Sequence, residues 1–209
     1  MEREYQALPL RELGENAGFR RPTQVQAGRV TLESPALEVM TDLTRVSPAT
    51  IRPQAPLAGA NQFMITRGVR LLLVVDEEYE TVLGLITATD ILGERPMQVA
   101  TERGLQRDEL TVADVMTPAA QVQVVALGYA QGARVGHVLE SMRRTGRQHA
   151  LVVDYDELPP ARPLAPPAKR AMVRGIFSSS QIALQLGVAL PPGGEIAGTF
   201  SEIEAALGR

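Results

Sequence analysis

A chain of 209 residues can form one large domain or two small ones, and either can bury a real core. With no cysteine, two histidines and a net charge of −3, it offers no thiol nucleophile, disulfide or thiolate metal site. A histidine-rich metal site and the basic stripe of a nucleic-acid binder are excluded on the same grounds. Aromatic residues are only 4% and Trp is absent, so the core must be aliphatic. The charged start MEREYQALPL lacks the apolar region of a secretory signal, and no apolar run approaches the ~20 residues that cross a bilayer. The expectation is a cytoplasmic, soluble protein with no membrane or nucleic-acid partner.

Residues 1–33 are weakly patterned and read as an N-terminal arm. PLAGANQFMITRG then places Leu57, Ala60, Met64 and the neighbouring Phe63 on one helical face, with Gly68 as its stop. VRLLLVV is a continuous aliphatic strand ending at Asp76, EEYE a polar turn, and TVLGLIT a second strand; ATDILGE opens a helix. The same succession returns later in the chain. Val135, Val138, Leu139 and Met142 stripe a helix that ends at Gly146, HALVVD and MVRGIFS are strands, and SSQIALQLG is the closing helix. The methionines, Met40, Met64, Met116 and Met142 among them, read as packing. TFSEIEAAL near the end has capping-box spacing from Thr199 to Glu202 and sets Phe200, Ile203 and Leu207 on one face. That face must dock on this chain or on a partner.

The elements recur because the chain repeats itself. VMT stands at 39–41 and 115–117, LVVD at 73–76 and 151–154, and GLITATD at 84–90 is echoed by GIFSSSQ at 175–181. The spacings are 76, 78 and 91, and the extra 13 residues coincide with ELPPARPLAPPAKR, whose five prolines predict an exposed, extended loop at 157–170. The division is a first repeat at 34–94, a linker helix at 95–109, a second repeat at 110–187 and a tail at 188–209. Each repeat is an α/β unit of order β-α-β-β-α. At about 60 residues it is marginal alone, which is a physical reason for two to pack together.

From about Ser34 to Gly187 these motifs resemble the cystathionine-β-synthase (CBS) domain family, arranged as a tandem pair. VMT at the start of each repeat, GVRLLLVVD within the first and GLITATDIL at its end carry the likeness, and GERPMQVATERG resembles the helix that links paired repeats. The resemblance implies a regulatory fold: two repeats in a pseudo-two-fold pair with two clefts between them, commonly dimeric. In many members the clefts hold adenine nucleotides or adenosine derivatives. The pattern Gly, two apolar residues, Thr or Ser, two variable residues and Asp carries the ribose and phosphate contacts there, and Thr87 and Asp90 fill those two positions.

The chemistry fits. A carboxylate accepts hydrogen bonds from both ribose hydroxyls, while a hydroxyl and free amides at a helix start suit a phosphate. The aliphatic strand before them supplies a flat wall for adenine. The same spacing is also a helix-capping signature, so Thr87 as N-cap with Asp90 at N3 stands as the plainer reading. In the second repeat Ser178 keeps the hydroxyl, but Gln181 replaces the acid and lacks its charge and its two equivalent acceptors. One good cleft is therefore expected, built on Thr87 and Asp90, the second being empty or altered. Arg70 and His149, at the strand starts, are the candidate phosphate contacts, with Arg147 weaker; His137 reads as surface or interface.

Two functions follow. One is a stand-alone sensor of AMP, ADP, ATP or S-adenosylmethionine, with no required cofactor, acting as a homodimer and through an unidentified protein partner in trans. The other is a ligand-free CBS-pair dimer serving as a scaffold. No Walker-type loop and no nucleophile paired with a base support an enzyme.

Overall fold

The computed structural model describes residues 30–158 and 168–188, with 201–203 and 205. After a 3₁₀ turn at Ala36–Val39, the first part of the chain forms β1 (Thr41–Asp42), β2 (Thr50–Ile51), α1 (Leu57–Arg67), β3 (Leu71–Val75), β4 (Val82–Thr87) and α2 (Ala88–Leu92). The linker is α3 (Arg95–Arg103), followed by a 3₁₀ turn at Arg107–Glu109. The second part forms α4 (Val112–Val115), β5 (Thr117–Pro118), β6 (Val124–Ala126), α5 (Leu127–Gly132), α6 (Val135–Thr145), β7 (His149–Leu158), β8 (Ala168–Ser178) and α7 (Ser179–Leu186).

Local sequence explains the breaks. Leu57, Ala60 and Met64 are buried on one face of α1, and Gly68 ends it at φ 64°, its N–H bonded to the carbonyl of Ile65. The longer helix of the second repeat, α6, buries Val135, Val138, Leu139 and Met142 and stops in the same way at Gly146. At the start of α4, Asp114 caps from N3, accepting from the Thr111 N–H at 2.8 Å and from its hydroxyl at 2.7 Å. Arg103 of α3 pairs with the same carboxylate, tying the linker to the start of the second repeat.

Two four-stranded sheets result, in the orders β2-β3-β4-β5 and β1-β8-β7-β6. Within each repeat a parallel pair (β2 with β3, β6 with β7) leads into an antiparallel hairpin (β3 with β4, β7 with β8). The outer strands are exchanged. β1, from the first VMT, pairs with β8 of the second repeat, and β5, from the second VMT, pairs with β4 of the first. Glycine permits both crossings. A Cβ on Gly84 would strike the Thr117 carbonyl, and one on Gly175 would strike the Met40 side chain. A β-bulge beside each of these glycines, at Val74/Val75 and at Val152/Val153, repeats the irregularity in both hairpins.

Three apolar clusters hold the pair together. Leu72, Val74 and Ile86 face α1 and α2, with Met64 and Ile91 among their neighbours. Val152 and Phe177 face α6 and α7, with Met142 and Ile182. Leu71, Leu73, Val75 and Leu85 turn the other way and meet Leu151, with Ile176 and Val173 beside it. Because β3 is covered on both faces, all five of its residues are buried, which is why LLLVV reads as an unbroken run rather than an alternation.

One expectation changes and one open choice is decided. β7 and β8 remain paired outward to Glu157↔Lys169 and Leu158↔Ala168, so both ends of the proline-rich stretch continue the hairpin; 159–167 lie outside the described residues. Ile203 is buried in the second repeat's core with Val30, so at this position the tail docks on its own fold. Phe200 and Leu207, and residues 1–29 of the N-terminal arm, lie outside the described residues.

Candidate functional site

The two repeats present equivalent positions to each other. Leu71 pairs with Thr87 across the first hairpin, and His149 with Ser178 across the second. The Ala88 N–H donates to the Arg70 carbonyl and the Ser179 N–H to that of Gln148, both at 2.9 Å. Each strand start is thereby fastened to the following helix start. By this pseudo-two-fold, Arg70 corresponds to Gln148, Leu71 to His149, and Asp90 to Gln181.

A cavity of about 310 Å³ opens where the start of α2 meets the start of β7. Leu71, Leu85, Val122 and Leu151 make its apolar wall, as the aliphatic strands predict. Thr87, Thr89 and Asp90 come from the first repeat, and Arg147, Gln148 and His149 face them from the second. Thr87 is the last residue of β4 and the N-cap of α2. Its N–H and hydroxyl donate to Asp90 Oδ2 at 2.9 and 2.7 Å, and the Asp90 N–H donates back to Thr87 Oγ1 at 3.3 Å. Asp90 Oδ1 lies 3.7 Å from Arg95 Nη1. The capping reading is thus observed. It does not remove the pair from the cleft, because both residues also line the cavity.

A second, smaller cavity of about 240 Å³ lies at the equivalent place, lined by Arg70, Ser178, Ser180 and Gln181. Ser178 makes no capping bond to α7; its hydroxyl sits 3.0 Å from that of Ser180. Arg70 therefore does not join Thr87 and Asp90. Each cleft takes its helix start from one repeat and its strand start from the other, so Arg70 meets Ser178, whereas Arg147 and His149 meet Asp90. That exchange is the signal a sequence reading can use, given the pseudo-symmetry. Gln123 and Thr145, which also line the first cavity, carry no motif that marks them.

His149 lines both cavities. Its Nδ1 is sealed from solvent without a hydrogen-bond partner. Burial, and secondly the charge of Arg70, push its pKa down from 6.5 to about 4, so the ring is neutral at pH 7. His137 is exposed, and its Nδ1 accepts from the Arg134 N–H at 3.1 Å at the start of α6. Among the described residues no group of three or more His, Asp or Glu side chains can hold a metal ion. No described helix is long and apolar enough to cross a membrane.

The family profile that matches is that of the CBS domain, over residues 37–96. Residues 37–96 form a CBS domain. That match spans β1 to the first turn of α3, and the second repeat rebuilds the same order of elements, so the fold is a tandem CBS pair. A solved structure of a conserved protein from Pyrococcus horikoshii is 19% identical, with a TM-score of 0.51, over 78% of this chain and all of that one. CBSX2, solved in complex with AMP, is 19% identical with a TM-score of 0.48, over 74% of this chain and 98% of its own. The CBS pair of MJ0100, solved with 5'-methylthioadenosine and S-adenosyl-L-methionine, is 22% identical with a TM-score of 0.45, over 71% of this chain and 97% of its own. No curated protein sequence matches this chain.

Proposed function

We propose that this CBS pair is a regulatory module that binds an adenine nucleotide or adenosine derivative in the Thr87–Asp90 cleft. The observation that carries the reading is the meeting of Thr87 and Asp90 with Arg147 and His149 around one cavity with an aliphatic wall. Adenine stacks on Leu71 and Leu85, the ribose hydroxyls address Asp90, and the phosphate lies toward Thr87 and Arg147. The Arg147 N–H donates to the Met142 carbonyl at 3.1 Å, and its guanidinium, which lines the cavity, suits an anion. The role is binding rather than catalysis. Its output requires a ligand that favours one arrangement of the pair, or of a homodimer, over another, since equal affinity shifts nothing.

One observation favours the second reading, a ligand-free scaffold. Asp90 already has both oxygens engaged, one by Thr87 and the other toward Arg95, so the motif is satisfied as it stands. Thermal unfolding with AMP, ADP, ATP and S-adenosylmethionine, on wild type and Asp90→Ala, separates the two. A ligand at a hundred times its Kd adds about 2.7 kcal/mol. A stabilisation seen in wild type and lost in the variant supports the sensor, and none with any ligand supports the scaffold.

A further inference from the structure

The hairpin of the second repeat is longer than its core requires. β7 and β8 run for 10 and 11 residues, against 5 and 6 for β3 and β4. Leu151, Val152 and Val153 are buried, but residues 154–157 and 169–172 are exposed, with Tyr155 49% open to solvent. A two-stranded ribbon bare on both faces adds little to a core and is marginal by itself. Arg170 Nη2 ties it to the first repeat, donating to the Glu80 carbonyl at 2.6 Å.

The outer edge of this ribbon is unpaired. β6 lies against β7 from Leu151 to Val153, and among the described residues no strand follows β7 beyond that point. The Tyr155 N–H donates to the carboxylate of its neighbour Asp154 at 2.9 Å, as an outward-facing group does. Backbone direction alternates along a strand, so Tyr155 and Glu157 both present N–H and C=O outward.

The flanking side chains set what can pair there. Asp154, Asp156 and Glu157 line this stretch of β7, with no cation among them. Asp156 and Glu157 face Arg170 and Lys169 across the hairpin, whereas Asp154 faces Met172 and meets no opposing charge. Two copies joined edge to edge would set these carboxylates against each other, and like charges across a strand pair destabilise it. Charges on an edge deter indiscriminate pairing. Here their single sign makes the deterrence selective, since a basic strand meets opposite charge.

We propose that the outer edge of β7, at 154–157, docks a basic, extended segment of a partner protein, which adds a strand to the ribbon. The incoming carbonyls accept from the N–H groups of Tyr155 and Glu157, the first in place of the Asp154 carboxylate. The incoming N–H groups donate to the carbonyls of the same two residues. Lysines or arginines on the segment meet Asp154 first, then Asp156 and Glu157. None of these residues lines either cleft, so the site stands whether or not a nucleotide binds.

The test is amide hydrogen exchange by NMR on the full chain, with three synthetic octapeptides as probes. Alternating Lys–Thr carries the charge on a backbone that can form a strand. Alternating Lys–Pro carries the same charge on one that cannot, and alternating Glu–Thr reverses the charge. The expected result is that Lys–Thr slows exchange at Tyr155 and Glu157, saturably, and that the other two do not. The protection of Glu157 is lost in Asp154→Lys, which reverses the sign at the edge. It is lost also in Tyr155→Pro, which removes an outward N–H and leaves the hairpin ladder intact. Equal protection by Lys–Pro overturns the proposal, because attraction to acid alone then suffices. Protection that grows with chain concentration without any peptide overturns it too, since a second copy then covers the edge. So does an edge that Lys–Thr leaves unprotected.

Discussion

The Thr87 hydroxyl donates to Asp90 Oδ2 at 2.7 Å, so the two residues that would hold a ribose and a phosphate first hold each other. A ligand at this place must share or break a closed capping box, and the affinity it achieves is what remains after that exchange. Cap and site can be separated by chemistry. Asp90→Asn keeps an acceptor for the Thr87 N–H and should cost less than the ~1 kcal/mol typical of losing a cap. It removes the charge and one of the equivalent oxygens. Adenine-nucleotide affinity should fall about tenfold or more, the difference between charge-assisted and neutral hydrogen bonds. Calorimetric titration beside a denaturant melt reads both quantities. Equal affinity in the two proteins would leave Asp90 as a cap alone.

The exchanged outer strands make a second prediction. At Gly84 a new Cβ meets backbone, the Thr117 carbonyl and Pro118 Cα at 3.2 Å, and backbone of a paired strand cannot step aside. At Gly175 the obstacle is the Met40 side chain, which has rotamers to try. Gly84→Ala should therefore destabilise by about 1–3 kcal/mol, and Gly175→Ala by distinctly less. Urea melts of the two variants provide the comparison. A reversed order would mean that β5 is held more loosely than its pairing with β4 implies.

Why some of this is legible in the chain and some is not follows from the range of each interaction. Gly68 and Gly146 mark helix ends because a left-handed residue is a local demand, and LLLVV marks a strand covered on both faces. Thr87 and Asp90 are three residues apart, so their pairing is local too. Arg70 is different. Its neighbour in sequence is the Thr87 hairpin, but its side chain lines the cleft of Ser178, more than a hundred residues on. Only the pseudo-two-fold arrangement assigns it there. The exchange of β1 and β5 is hidden for the same reason: two-residue strands carry no periodicity, and their partners lie in the other repeat.

The helices equivalent under the pseudo-two-fold also offer a surface for the proposed homodimer. Leu92 at the end of α2 and Leu184 in α7 are 65% and 70% exposed, and Ile65 of α1 is 65% exposed. Apolar side chains on corresponding helices of both repeats suit an isologous interface, in which each protomer offers the same surface. If the proposed homodimer uses this surface, wild type should sediment as a dimer and Leu92→Glu combined with Leu184→Glu as a monomer, with the far-UV circular dichroism unchanged. A double variant that sediments like wild type would place any interface elsewhere.

The pH dependence of stability turns on His149. Its folded pKa, about 4, lies below the unfolded value of 6.5, so the unfolded chain binds the proton first as the pH falls. Its neutral ring therefore contributes stability that is complete above about pH 6.5 and is lost progressively as the pH drops toward 4. The full loss is on the order of 3 kcal/mol. The carboxylates held low act in a different range. Hydrogen bonds from Arg143 and then Arg144 bring Glu140 down to about 2, and the Arg174 side chain, then Thr44, hold Asp42 well below the usual carboxylate range. Their stability is present above the ordinary carboxylate pKa and is lost only in stronger acid. Between pH 6.5 and 4.5 the slope should accordingly belong to the buried ring. Replacing it by the residue at its pseudo-symmetric position, His149→Leu, should flatten urea stability across that window. A slope that survives His149→Leu would mean that the ring takes up its proton as readily folded as unfolded.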